Sequence, residues 1–182
     1  MVQQRVISGM NKITLVSPGL FPLIKGGAEN QMRILAEYFI GQNIDLNIVT
    51  LNFESNFDYK LKTKVSTIGF FQGKLLLISA VLHYTLVRKN RTVIFSQLNV
   101  LTFFLIILTF NKNIYLRFSN SQQNFDFDRL FDGKFTKLKM YILKAKINYF
   151  VSINPVITNH LNQYGFHNVI EINNIVNVKK FH

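Results

Sequence analysis

Short apolar strands alternate with helical segments along the whole chain, and this alternation restricts the possible fold more than any other feature. Strands that alternate with helices pair in parallel through right-handed crossovers. The sequence therefore predicts an α/β fold, a Rossmann-like doubly wound, mostly parallel sheet with helices on both faces. The predicted strands are Lys12–Ser17, Asp45–Thr50, Val65–Phe70, Thr92–Ser96, Asn113–Phe118, Tyr149–Ile153 and Val169–Ile172.

The segments between these strands have helical periodicity. The helices are predicted at Ala28–Phe39, Lys74–Lys89, Leu98–Phe110, Asp128–Lys146 and from Pro155 to about Gly165. The first has one apolar face, and Gly41 follows it where a helix C-cap is expected. In the helix over 128–146, the periodicity puts Phe131, Phe135, Leu138, Tyr141, Ile142 and Ala145 among the apolar positions.

The segment Leu98–Phe110 is apolar at almost every position, which is typical of a helix buried on all sides. It is too short to span a bilayer, because a spanning helix needs about 20 residues. An interfacial or re-entrant segment is the alternative interpretation.

Length and composition indicate one globular domain over residues 1–182. The hydrophobic fraction is 48% and the charged fraction 16%. The chain has no cysteine, which excludes a disulfide framework and a thiolate metal site. The four histidines lack the spacing of metal ligands, so neither a metal nor another cofactor is predicted. We expect a cytoplasmic protein.

The net charge of +12 is compatible with nucleic acid, an anionic membrane or a phosphorylated substrate as partner. No RNA-recognition, KH or zinc-finger pattern accompanies the charge, so we expect no nucleic-acid partner. Lys137, Lys144 and Lys146 alternate with apolar residues, as in helices that lie on membranes. We favour a solvated basic face there, with peripheral contact at the inner face of the membrane as the alternative.

The loop Pro18–Glu29 joins the first strand to the first helix and contains the pair Gly26 and Gly27. Glycines before a helix let the backbone approach an anion, which the free N–H groups of the helix N-terminus attract. A Gly-Gly pair is also a common turn, so both interpretations stay open at this point. Ligands of doubly wound sheets bind outside the carboxyl ends of the strands, where Gln97, the segment 119–123 and Asn154 are also predicted.

Two segments resemble a known family. KITLVSPGLFPLIKGGAENQMRILAEYFIGQNIDLNIVTL, residues 12–51, resembles the start of family 4 glycosyltransferases of the GT-B fold, with its strand, Gly-Gly-Ala-Glu loop, helix and second strand. YFVSINPVITNHLNQYGFHNVIEINNIVNVKKF, residues 149–181, is similar to that family's strand, Ser, helix, Gly and the segment Ile-Pro-Asn-Gly-Val-Asp…Phe. The order of the two segments agrees with the N-terminal half of a GT-B fold.

The resemblance implies the acceptor-side domain of a two-domain hexosyl transferase. Such an enzyme transfers a sugar, with retention, from a nucleotide-sugar to a bacterial cell-surface polysaccharide or lipid-linked oligosaccharide. The chain is expected to stop before the donor-binding domain, so it should have little activity alone. The alternative is a non-catalytic remnant, or a split-enzyme subunit that binds a separately encoded donor domain.

The resemblance also implies site residues. The glycine pair would approach the donor's phosphate or sugar, and Glu29 is either a ligand or a carboxylate that interacts with the helix dipole. Gln97 and Ser119 stand where many members have a histidine, and Ile175 and Asn177 replace the Gly and Asp of the hinge segment. No catalytic residue is assigned. The predicted substrate-binding residues are Gly26, Gly27, Glu29, Gln97, Arg117, Ser119 and Asn174.

Overall fold

The computed structural model describes residues 12–17, 27–50, 64–67, 92–110, 113–118 and 135–172. The strands are β1 (Lys12–Ser17), β2 (Asp45–Thr50), β3 (Lys64–Thr67), β4 (Thr92–Phe95), β5 (Ile114–Phe118), β6 (Tyr149–Ser152) and β7 (Val169–Glu171). The helices are α1 (Gly27–Gly41), α2 (Val100–Leu108), α3 (Thr136–Lys146) and α4 (Pro155–Gln163). The predicted helix over 74–89 lies outside the described residues.

All seven strands belong to one sheet in the order β3-β2-β1-β4-β5-β6-β7. Every neighbouring pair is parallel. The chain continues from β1 towards one edge of the sheet and from β4 towards the other, so the direction of winding reverses between these two strands. The predicted α/β, Rossmann-like doubly wound fold is therefore confirmed.

The strand register divides the core into two layers. Leu15, Ile94 and Tyr115 are in register and share one face of the sheet, against which α1 packs. Val16, Phe95 and Leu116 share the opposite face, where α2, α3 and α4 pack. We call these the α1 face and the α2–α4 face. The predicted placement of helices on both faces of the sheet is thus confirmed.

Helix α1 packs as its periodicity predicts. Met32, Ala36 and Phe39 are buried against the strands of the α1 face. The predicted cap at Gly41 is wrong, because Gly41 is the last helical residue and the left-handed position is Asn43, with φ 57°. Asparagine tolerates this conformation better than other non-glycine residues, and the Asn43 N–H donates to the Ile40 carbonyl at 2.9 Å.

Helix α4 begins at the predicted residue, Pro155, and ends at Gln163, two residues before the predicted position near Gly165. The Asn154 side chain accepts a hydrogen bond from the Ile157 N–H at 2.9 Å and thereby caps the helix, with Pro155 as its first residue. Gly165 follows the helix with φ 75°, a left-handed conformation that favours glycine. Ile157 and Leu161 are buried in the core of the α2–α4 face.

The expectation that the segment over 98–110 is buried on all sides is wrong. Phe103, Leu105 and Ile106 are buried, but Val100 and Phe104 are exposed. Helix α2 lies in the outer layer, so the sheet covers only its inner side. No described helix is both long and apolar enough to cross a bilayer.

The apolar positions of α3 divide between the core and the outer surface of the helix. Leu143 is its buried residue, and Met140 and Ile142 pack beside it. Phe135, Leu138 and Tyr141, which the periodicity also places among the apolar positions, are exposed. Apolar residues surround most of this helix, so periodicity alone could not identify the stripe that faces the sheet.

Candidate functional site

The carboxyl ends of β1 and β4 form the crevice where the winding reverses. Ser17 ends β1 and Ser96 follows β4, and both are buried. The Ser96 N–H donates to the Val16 carbonyl at 2.9 Å, which holds the chain beside β1 until it reaches Gln97. Doubly wound sheets bind ligands at such a point.

Helix α1 connects the parallel strands β1 and β2 and packs on the α1 face, so its first residue, Gly27, lies towards the carboxyl ends of the strands, where the crevice opens. Its first N–H groups have no partner within the helix, and its dipole favours negative charge. Gly27 is exposed, and a Cβ placed on it would meet no atom of the described residues within 4 Å. The backbone is therefore open to a ligand at this position. Glu29 lies in the first turn of α1, while its side chain and Gly26 lie outside the described part of the chain.

Arg117 is the penultimate residue of β5 and is only 7% exposed. It lies two residues after Tyr115 in the strand and therefore shares the α1 face. Neighbouring strands lie about 4.8 Å apart, so β5 runs about 10 Å from β1. The buried Arg117 guanidinium and the N-terminus of α1 thus lie on the same face of the sheet, both towards the carboxyl ends of the strands.

A chain of hydroxyl groups lies at the end of β6. The Ser152 and Thr158 hydroxyl oxygens are 2.6 Å apart. The Thr158 hydroxyl donates a hydrogen bond to Glu171 Oε2 at 2.9 Å. The sequence predicts Asn154 at the carboxyl ends of the strands. Its side-chain oxygen accepts the hydrogen bond that caps α4. Asn154 therefore positions α4, and the hydroxyl chain links α4 to β6 and β7.

The side chains of Tyr115 and Tyr149 stack on the α1 face, and Tyr115 lies two residues before Arg117 in β5. The rings of Tyr115 and Tyr149 are 5.3 Å apart at 25°. Burial, and secondarily the neighbouring Tyr149, raises the pKa of Tyr115 above its usual value. Tyr115 consequently stays protonated at neutral pH and is a poor candidate for a general base.

The sequence-predicted residues have different outcomes. Gln97 and Arg117 lie at or just beyond the carboxyl ends of the adjacent strands β4 and β5, and Gly27 is the first residue of the helix that follows β1 in the chain. Gly26, Ser119 and Asn174 lie outside the described residues, so their roles stay predictions. The buried Ser17 and Ser96 were missed, although a serine at the end of an apolar strand was the available signal.

The histidines do not form a site within the described ranges. His160 is half-buried, with its ring 5.1 Å from that of Tyr164, and His167 is exposed. No group of three or more His, Asp or Glu side chains in the described part of the chain could hold a metal ion.

Comparison with known proteins gives no family assignment. The chain matches no protein-family model and no curated protein. The fold therefore rests on the sheet topology, and the glycosyltransferase resemblance rests on the two segments described above.

Proposed function

We propose that this chain is the acceptor-side domain of a GT-B hexosyl glycosyltransferase. The complete enzyme would transfer a sugar from a nucleotide-sugar to a bacterial cell-surface polysaccharide or lipid-linked oligosaccharide, in the cytoplasm at the inner face of the membrane. The observation that carries the proposal is the start of α1 at an open glycine beside the β1–β4 crevice. The same strand, glycine and helix are the residues that resemble the family.

The chemistry around the crevice suits a sugar that carries phosphate. The open backbone at Gly27 and the dipole of α1 favour an anionic oxygen. The resemblance implies the donor's phosphate or sugar at the glycine pair, and we propose that in this chain the same backbone holds the diphosphate of a lipid-linked acceptor. The Arg117 guanidinium on the same face adds positive potential. Gln97 offers an amide that can both donate to and accept from sugar hydroxyl groups. Such a set binds and orients a substrate rather than cleaving a bond.

We assign no nucleophile or general base to this chain. The proposed contribution is to position the acceptor, because holding two reactants in the correct geometry supplies much of the rate of a transfer reaction. Stabilisation of the leaving diphosphate is assigned to the domain that binds the donor.

A matched pair of glycine substitutions tests the proposal. Gly27 and Gly41 lie at the two ends of α1, both are exposed, and a Cβ meets no atom within 4 Å at either position. Gly27→Ala should therefore fold normally yet obstruct a ligand that approaches the backbone. We expect it to weaken binding of a water-soluble, short-chain prenyl-diphosphate sugar roughly tenfold, or ~1.4 kcal/mol. Gly41→Ala should bind like the wild type.

Isothermal titration calorimetry of the wild type and both variants provides the measurement, with UDP-glucose as the donor probe. We expect UDP-glucose alone to bind far more weakly than the acceptor analogue. Micromolar binding of UDP-glucose by this chain would contradict the acceptor-side assignment. Equal affinities of the two variants for the acceptor analogue would show that Gly27 is not part of the binding site.

A further inference from the structure

Helix α3 presents apolar side chains on the side that faces away from the sheet. Leu138, Tyr141 and Ala145 are exposed, and they recur at spacings of three and four residues. Leu143, the buried residue of α3, lies on the opposite side of the helix. Spacings of three and four mark the a and d positions of a coiled coil, along which a second helix packs. We call these three residues the α3 seam.

One flank of the seam carries two lysines at equivalent positions. Lys137 and Lys144 are both exposed, and they directly precede Leu138 and Ala145. Two helical turns separate them, about 10 Å along the helix axis. Flanking charges of coiled coils occupy such positions and pair with opposite charges of the other helix. Helix α3 contains no acidic residue, so this flank has one sign of charge and is complementary to carboxylates.

The other flank of the seam faces α2. Lys146 Nζ donates to the Thr109 carbonyl at 3.2 Å and lies 5.6 Å from the centre of the Phe110 ring. Each of the two helices ends shortly before the amino end of a strand, and the strands are parallel, so the helices run in the same direction. Phe104 and Tyr141 each lie five residues before the Lys146–Thr109 contact and therefore lie at one level along the helix axes. The exposed Phe104 ring thus extends the apolar area beside the seam.

The exposed apolar area is large enough for a stable contact with another protein. Six large apolar side chains of α2, α3 and the adjoining residues are between 53% and 72% exposed: Val100, Phe104, Phe110, Phe135, Leu138 and Tyr141. Side chains of this size leave roughly 600 Å² of surface exposed in total. A stable interface buries about 800 Å² on each partner. A partner that covered these side chains and the adjacent lysine stems would bury a similar area.

Folding alone does not account for Phe135. Its backbone is left-handed, with φ 70°, a conformation that costs a bulky residue free energy. Its ring is the most exposed large apolar side chain among the described residues, so burial within the chain does not offset that cost. Strained residues of this kind are concentrated at functional positions. A partner that covered the ring would supply the missing burial.

We propose that the α3 seam binds an amphipathic helix of a partner protein that carries acidic residues along one edge. The apolar stripe of the partner helix covers the seam and the Phe104 ring, as in other contacts between a helix and an apolar groove. Carboxylates two turns apart on its acidic edge pair with Lys137 and Lys144. The contact lies on the opposite face of the sheet from α1 and Arg117, so it does not depend on the transferase assignment.

Other occupants fit the seam less well. In an antiparallel pair of two copies, Lys137 of each copy would meet Lys144 of the other, and like charges repel. A parallel pair would place these lysines beside Ile142, which offers no charge. Nucleic acid would need aromatic rings for stacking, whereas Leu138 and Ala145 are aliphatic. A lipid surface imposes no spacing along a helix, so the two-turn interval of the lysines favours a helical partner.

Fluorescence anisotropy of the full chain with a synthetic helix tests the proposal. The probe is a labelled peptide of three heptads with leucine at positions a and d, glutamate at e and g, and alanine elsewhere. The control peptide has lysine in place of every glutamate. We expect the chain to bind the acidic peptide with a Kd below about 100 µM and the lysine peptide at least tenfold more weakly.

Variants of the seam and of its flank separate the two parts of the proposal. Leu138→Ser, Tyr141→Ser, the seam variant, should weaken binding of the acidic peptide at least tenfold, because it removes two apolar contacts. Lys137→Glu, Lys144→Glu, the charge-reversed variant, should bind the lysine peptide more tightly than the acidic one. Tyr38→Ser is the matched control, since Tyr38 is exposed on α1, on the other side of the sheet, and it should bind like the wild type. Circular dichroism verifies that each variant is folded.

Several results would overturn the proposal. They are equal binding of the two peptides, wild-type affinity of the seam variant, or an unchanged preference of the charge-reversed variant. Dimers in analytical ultracentrifugation that the seam variant abolishes, without binding of the acidic peptide, would overturn it and assign the seam to a second copy. Binding to phosphatidylglycerol vesicles that the seam variant abolishes, again without binding of the acidic peptide, would overturn it in favour of a lipid surface.

Discussion

The outer surfaces of the helices on the two faces of the sheet differ sharply. On α1, Arg33 and Glu37 form an ion pair one turn apart, and among its described side chains Tyr38 is the one exposed large apolar residue. On α2 and α3, phenylalanine, leucine and tyrosine are exposed beside lysines. This difference shows that an apolar residue on an outer helix is not necessarily part of the core.

The comparison also separates the proposed ligand site from the exposed apolar side chains. The α1 face carries the open helix N-terminus and Arg117 near the β1–β4 crevice, which suit an anionic ligand. The exposed apolar side chains of α2 and α3 belong to helices that pack on the other face. Substitutions can therefore address each face without altering the other.

The largest expected effect comes from two neighbouring phenylalanines of α2. Phe103 is 7% exposed and Phe104 is 53% exposed. Phe103→Ala should lower the free energy of unfolding by about 3–5 kcal/mol, because it leaves a cavity in the core. Phe104→Ala should change it by no more than about 0.5 kcal/mol. Urea denaturation measures both, and equal losses would mean that Phe104 belongs to the core.

Substitutions of two glycines, one after α4 and one in α1, should change the stability by an intermediate amount. Gly165→Ala should cost about 1–2 kcal/mol, because φ is 75° there. The added Cβ would also lie 2.9 Å from the flexible end of Lys144. Gly41→Ala on the α1 face should stabilise the protein by up to about 1 kcal/mol, since its surroundings are open and the residue is helical. Thermal unfolding followed by circular dichroism separates the two, and a neutral Gly165→Ala would contradict the left-handed turn.

A smaller effect is expected for the ion pair on α1. Glu37→Gln removes the partner of Arg33 at an exposed position. We expect a loss of about 0.3–0.5 kcal/mol that disappears at 1 M salt, because solvent and ions screen such pairs. Urea denaturation at low and high salt provides the measurement. A loss above ~1 kcal/mol at both salt concentrations would show that this ion pair is not screened as an exposed pair.

The smallest effect is confined to alkaline solution. Burial raises the pKa of Tyr115 in the folded state, so the folded protein retains that proton at a pH at which the unfolded chain has lost it. The resulting stabilisation is complete below pH ~10 and is lost as the pH rises through the folded-state pKa. Tyr115→Phe should flatten the decline in stability above pH ~10, and urea denaturation at a series of alkaline pH values measures it; an unchanged decline would contradict the burial of Tyr115 as its cause.

Much of the fold was predictable because strand patterns are local. The bounds of β1 and β2 match the prediction, and the Pro155 and Gly165 signals place α4 to within two residues. These features depend on neighbouring residues alone. The Gly41 prediction failed because composition does not show which of several residues after a helix adopts the left-handed conformation.

The outer faces of α2 and α3 were not predictable from periodicity. Both helices carry apolar residues around most of their circumference, so the sequence does not distinguish Phe103 from Phe104. Likewise, the position of Arg117 at a strand end followed from the sequence, but its neighbours across the sheet depend on strand register. Register is set by long-range pairing, which local patterns do not contain.

Nuclear magnetic resonance mapping of the short-chain prenyl-diphosphate sugar tests the central claim most directly. With ¹⁵N-labelled protein, we predict the largest amide shift changes at the carboxyl edge of the sheet, at Gly27, Gln97 and Arg117. The amide signals of Asn113 and Asn148, which precede β5 and β6 at the amino ends of the strands, should not shift. Changes centred on Asn113 and Asn148, or no change at Gly27 at saturating ligand, would contradict a binding site at the β1–β4 crevice.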